Sequence, residues 1–126
     1  MSRKVLVVED EPAIRDLLQL ALEQEGYPVA LATDGYEALL QLERERPELI
    51  LLDLMLPHMD GVTFVAELER SGRRAGVPIL VLSAASHASS TAAEIRAEGY
   101  LPKPFDLVEL LDQVRALTRP PVALAS

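Results

Sequence analysis

Short apolar runs alternate along the chain with segments whose apolar residues recur at helical spacing. The runs Val5–Val8, Val29–Ala32, Leu49–Leu52 and Ile79–Leu82, with a shorter Tyr100-Leu101, are apolar at consecutive rather than alternate positions. A strand covered on both faces needs that pattern, so it predicts a parallel sheet between two helical layers. Between the first two runs, Ile14, Leu17, Leu18, Ala21 and Leu22 fall on one face of a helix. Pro12 suits its first turn and Gly26 its end. Asp34, with Glu37 three residues on, caps a second helix that stops before Pro47. A third starts near Asp60-Gly61 and fades at Ser71-Gly72. The last is marked by Asp106 and Glu109, a capping-box-like pair ahead of Leu107, Leu110, Leu111, Val114 and Leu117.

The segment between Ser83 and Gly99 is different. Ala84-Ala85-Ser86-His87-Ala88-Ser89-Ser90-Thr91-Ala92-Ala93 offers few large apolar side chains, so any helix there buries little and is expected to be loosely held and mobile. Beyond Thr118 two prolines stop the last helix, and residues 119–126 read as a frayed tail or the start of a linker, leaving 1–118 as one domain.

A length of 126 residues suits a single core. With 12 Lys and Arg against 20 Asp and Glu, the net charge of -8 repels phosphate backbones and anionic lipid. Binding of nucleic acid by this domain alone, or of a membrane, is therefore not expected. The absence of cysteine excludes disulfides and thiolate metal sites. Met-Ser-Arg-Lys runs straight into a four-residue strand and resembles no signal peptide, which points to the cytoplasm.

Right-handed βα crossovers place every strand's carboxyl end on one edge of the sheet, where open α/β folds carry their chemistry. That edge gathers Glu9 and Asp10 after the first strand, Asp53 after the third, Ser83 after the fourth and Lys103 past the fifth. Three carboxylates in one crevice repel one another unless a cation neutralises them or their pKa values rise. Mg²⁺ prefers oxygen ligands and typically takes one or two carboxylates plus phosphate oxygens. Lys103 adds a point charge for phosphate oxygens and Ser83 a hydroxyl donor, so the inventory suits metal-assisted phosphoryl transfer.

Four stretches carry a family resemblance in order: Val5-Leu6-Val7-Val8-Glu9-Asp10-Glu11-Pro12, Leu52-Asp53-Leu54-Met55-Leu56-Pro57-His58-Met59-Asp60-Gly61, Val81-Leu82-Ser83-Ala84 and Tyr100-Leu101-Pro102-Lys103-Pro104-Phe105. Together they resemble the receiver domain of two-component response regulators over essentially the whole chain. The resemblance implies a flavodoxin-like (βα)5 three-layer sandwich with strand order 2-1-3-4-5. It implies that Asp53 accepts a phosphoryl group from a sensor histidine kinase, a phosphotransfer protein or a small phosphodonor. Asp10, Asp53 and the backbone carbonyl of Met55 would ligate Mg²⁺, with Glu9 assisting through water. Ser83 and Lys103 would contact the phosphoryl group, and Tyr100 would change rotamer as Ser83 moves. The Lys103-Pro104 bond would be cis. The output would be a downstream effector protein or a fused domain, and the chain would be no enzyme beyond catalysing its own phosphorylation and dephosphorylation.

Two departures from the family stand out. The acid pair is Glu-Asp where many members have Asp-Asp. The stretch from Ser83 to Lys103 is about two residues shorter than the usual spacing, with Ala97-Glu98-Gly99 before Tyr100. Altered output with normal kinase input is the expectation.

Competing readings follow other features. A receiver-like module that binds partners without phosphorylation is the main alternative. An aspartate-nucleophile hydrolase needs a second acid two residues past the nucleophile, where Met55 stands, and a flavin carrier needs a hydroxyl- or glycine-rich first loop, where Glu9-Asp10-Glu11-Pro12 stands. Asp60 reads as a helix cap, His58 and His87 as surface residues, and Arg70, Arg73 and Arg74 as a solvated helix end. Met55 and Met59 are expected to flank the pocket, with Met55 shielding an acyl phosphate from water.

Overall fold

The computed structural model describes residues 4–118, so the expected tail at 119–126 lies outside the described residues. Ten elements alternate along them: β1 (Val5–Val8), α1 (Pro12–Gln24), β2 (Val29–Ala32), α2 (Gly35–Arg44), β3 (Leu49–Asp53), α3 (Gly61–Arg70), β4 (Ile79–Ser83), α4 (Ala88–Glu94), β5 (Gly99–Pro102) and α5 (Leu107–Leu117). All strand pairs are parallel, in the order β2-β1-β3-β4-β5. This is the flavodoxin-like arrangement that the resemblance implies.

Alternation of side chains along each strand splits the core in two. Leu6, Val8, Ile50, Leu52, Ile79 and Val81 meet α2, α3 and α4 through Ala38, Leu42, Phe64, Leu68, Ala88 and Ala92. Val5, Val7, Leu49, Leu51, Leu80 and Leu82 meet α1 and α5 through Leu18, Leu22, Leu110 and Val114. Every residue of β1, β3 and β4 is buried, which explains why those runs are continuously apolar. Each such Val, Leu or Ile contributes about 1.5–3 kcal/mol relative to exposure.

The caps follow the sequence. Asp34 accepts from the Glu37 N–H, Asp60 from the Thr63 N–H and Asp106 from the Val108 N–H, one residue short of the expected Glu109. Gly26 ends α1 at φ 93, a conformation open to glycine.

Two expectations need correction. Arg74 is no solvated end. Its side chain is only 12% exposed, its Nη1 donates to the Ile95 carbonyl at 2.6 Å and its Nη2 to the Arg96 carbonyl at 2.5 Å. Arg70 and Arg73 are exposed, as expected. Met59 does not flank the site, because it is buried in the core beneath Gly35, where an added Cβ would meet its Sδ at 2.8 Å. The weak segment forms the seven-residue α4, which buries only the small side chains of Ala88 and Ala92.

Candidate functional site

Continuing β1 by one residue beyond its pairing brings Glu9 to the carboxyl edge, where its N–H donates to the Ala32 carbonyl at 3.0 Å. Asp53 is the last residue of β3 and still pairs with Leu82 of β4. Ser83 ends β4, and its carbonyl accepts from the Lys103 N–H at 3.1 Å, which locks the chain just past β5 to the same edge. The expected convergence is therefore present for Glu9, Asp10, Asp53, Ser83 and Lys103.

One carboxylate oxygen from each of Glu9, Asp10 and Asp53 lies within 4.8 Å of the others. Glu9 is 2% and Asp53 6% exposed, whereas Asp10 faces solvent. Lys103 Nζ donates to Glu9 Oε1 at 2.8 Å and to Asp53 Oδ2 at 3.1 Å. The remaining oxygens of the buried pair are also engaged: Glu9 Oε2 accepts from the Glu11 N–H at 3.1 Å, and Asp53 Oδ1 from the Met55 N–H at 3.0 Å. Burial pushes the Glu9 carboxyl above its ordinary range, and the bonds from Lys103 and Glu11 offset only part of that. For Lys103, burial works downward but the bonds to Glu9 and Asp53 outweigh it and hold the ammonium above its usual value.

The donor set suits a hard divalent cation. All three side chains offer oxygen, two are withdrawn from water, and one ammonium leaves the three carboxylates with excess negative charge. The loop after Asp53 is shaped by a close approach: Gly61 donates to the Leu54 carbonyl at 3.0 Å, and a Cβ on Gly61 would meet Leu54 Cα at 2.9 Å. Met55 turns its side chain outward, 62% exposed.

Ser83 is fully buried, and its Oγ accepts from the Ala85 N–H at 3.2 Å. Tyr100 pairs in register with Val81 and is half-buried against the α4 side of the core. The Lys103-Pro104 bond is cis, as the resemblance implies. His58 and His87 are exposed.

Arg15 is the residue that the sequence reading missed. Its Nη1 donates to the carbonyls of Glu9 at 3.1 Å and Asp10 at 3.2 Å. A signal did exist, since a cation one turn into a helix opposes the macrodipole and so calls for a local partner.

The family model for the response regulator receiver domain matches residues 5–115. Response regulator MprA of Mycobacterium ulcerans is 44% identical over 121 residues, covering 94% of this chain and 51% of that protein. The chain thus spans about half the length of the curated relatives it matches. A putative response regulator from Chloroflexus aurantiacus superposes with a TM-score of 0.86 at 31% identity, covering 93% of this chain and 98% of that one. The response regulator TrrA of Thermotoga maritima, solved in complex with Mg²⁺-BeF, gives a TM-score of 0.80 at 34% identity, with 93% and 99% coverage. Among the described residues no helix is long and apolar enough to cross a membrane.

Proposed function

The chain belongs to the response regulator receiver domain family, and from that membership we propose that it is a phosphorylation switch whose acceptor is Asp53. The observation that carries this reading is the placement of Lys103 Nζ against both Glu9 and Asp53, within the cluster of three carboxylates. Glu9, Asp10, Asp53 and the Met55 carbonyl would hold Mg²⁺, which when bound supplies positive charge to the oxygens of a transferring phosphoryl group.

Asp53 is fixed by the Met55 N–H on one oxygen and Lys103 on the other. In the transfer, a carboxylate oxygen of Asp53 forms the new bond to phosphorus while the bond from phosphorus to the donor breaks, its electron pair leaving with the donor. Lys103 follows the charge onto the phosphoryl oxygens, so catalysis is positioning and charge neutralisation. Ser83 donates its hydroxyl to the product, giving up its place beside the Ala85 N–H, and Tyr100 answers on the neighbouring strand. That change biases α4 and β5 toward a partner-binding arrangement. The protein acts in the cytoplasm, with a histidine kinase or phosphotransfer protein as donor and an effector or linked output domain as reader. It is no enzyme beyond its own phosphorylation and dephosphorylation.

Incubation with acetyl phosphate and Mg²⁺ followed by mass spectrometry tests this. Wild type gains one phosphoryl group and Asp53→Asn none. An unmodified wild type would instead favour a constitutive interaction module, a reading that the short α4 with its end tied by Arg74 supports.

A further inference from the structure

We propose that Arg15 is a positioning residue for the acidic loop, holding the Glu9 and Asp10 backbone so that their carboxylates converge on a divalent cation. The inference rests on the phosphoacceptor reading of the same site. Two cations stand at the acidic cluster and differ in what they touch. Lys103 touches carboxylate oxygens of Glu9 and Asp53, so it engages the same atoms that a metal ion would use. Arg15 touches none of these. One nitrogen of its guanidinium spans two consecutive main-chain carbonyls, at 3.1 and 3.2 Å.

The loop needs such a hold. Glu9 is fixed on its N–H side by the Ala32 carbonyl, and the Glu11 N–H turns back onto Glu9 Oε2. The peptide planes between them carry Asp10, whose exposed carboxylate is repelled by two buried ones close by. The helix start gives little help, because Glu11 at the N-cap makes no side-chain capping bond. Arg15 sits one turn inside α1, where its own N–H already donates to the Glu11 carbonyl as the first bond of the helix. Its guanidinium therefore ties the rigid end of α1 back to the two carbonyls that precede it. Groups that orient metal ligands without touching the metal typically govern affinity by ten- to a hundredfold, and about tenfold is expected here.

The sign of the effect separates positioning from charge. Arg15 is a cation near a cation site, so a pure field effect predicts that removing it tightens Mg²⁺ binding. Positioning predicts weaker binding.

Calorimetric titration of the metal-free chain with Mg²⁺, for wild type, Arg15→Met and Arg15→Lys, decides between them. Arg15→Met is expected to bind about tenfold more weakly, with faster amide exchange at Asp10 and Glu11. Arg15→Lys, which retains a donor on a long stem, is expected to recover part of both. With acetyl phosphate, Arg15→Met needs more Mg²⁺ for half-maximal labelling yet reaches the wild-type rate at saturation. Unchanged or tighter Mg²⁺ binding in folded Arg15→Met, or weaker binding without faster exchange in the loop, overturns the proposal. Should Arg15→Met not fold, Arg15→Lys binding as tightly as wild type with a loosened loop overturns it equally. Wild type that binds no Mg²⁺ defeats the phosphoacceptor reading itself, a distinct result.

Discussion

Arg74, in the loop after α3, donates to the carbonyl of Ile95 at the end of α4, across 21 positions of sequence and 2.6 Å of space. Its second nitrogen takes the Arg96 carbonyl, and Glu69 and Glu98 flank the guanidinium at 3.0 and 3.5 Å. A seven-residue helix that buries two alanines has little packing to hold it, so this contact at its carbonyl end bears much of its stability.

Arg74→Ala is accordingly expected to cost about 1.5–3 kcal/mol, the range for hydrogen bonds that involve a charged group. Amide exchange should accelerate across residues 92–97 more than in β1 or β3. Arg73→Ala, which loses an exposed pair to Glu43 at 3.7 Å, should stay within about 0.5 kcal/mol in the same denaturation series. Equal effects from the two substitutions would contradict the assignment.

Gly61 supports a second prediction, steric rather than conformational. A methyl group there would press on Leu54 Cα at 2.9 Å and on the Asp53 carbonyl at 3.2 Å, both main-chain atoms that cannot swing aside. Gly61→Ala should destabilise the chain by about 1–3 kcal/mol as overpacking does. Because the displaced backbone carries Asp53 and Met55, Mg²⁺ affinity should fall as well. Chemical denaturation and calorimetry on one preparation check both.

The elements that were easiest to read in the sequence are those whose apolar run is uninterrupted. Val5–Val8 and Val29–Ala32 are strands over the expected residues. The other strands run further than their apolar runs, into Asp53, Ser83 and Pro102, because the parallel ladder continues through these residues of poor strand propensity, Asp53 opposite Leu82 and Ser83 opposite Pro102. Glu9, Asp10, Asp53, Ser83 and Lys103 were legible together because topology alone sends strand exits to one edge. Arg15 and Arg74 were not, since each binds main-chain carbonyls, and a carbonyl leaves no mark on the residue type that bears it. Met59 misled for a related reason: it lies in a polar loop by sequence, yet its side chain fills the space over Gly35.

The buried Glu9 fixes a pH dependence for the metal-free protein. Burial raises its folded pKa above the unfolded value, so between those two values the native chain binds more proton than the unfolded one. Stability attributable to Glu9 is complete below its unfolded pKa and falls as pH rises through the folded one. Lys103 acts at the alkaline end, where its raised pKa gives stability that is lost as pH climbs through the folded value. Denaturation midpoints measured in a chelator from mildly acidic to neutral pH should decline for wild type and flatten for Glu9→Gln. A Glu9→Gln profile as steep as wild type would place the slope elsewhere.

Ser83 gives the last test, because its hydroxyl is fully buried and has a structural partner of its own. In the resting molecule Oγ accepts from the Ala85 N–H at 3.2 Å, a long bond whose loss in Ser83→Ala should cost about 1 kcal/mol. Once Asp53 carries a phosphoryl group, the same hydroxyl would donate to a charged oxygen, and such bonds are worth about 1.5–3 kcal/mol. Ser83→Ala should therefore weaken binding of beryllofluoride in the presence of Mg²⁺ by about tenfold or more, while binding of Mg²⁺ alone stays near wild type. Ser83→Thr, which keeps the donor, should recover most of the loss. Equal beryllofluoride affinity in wild type and folded Ser83→Ala would remove Ser83 from the phosphoryl site and leave it as a strand-end residue that organises the turn into α4.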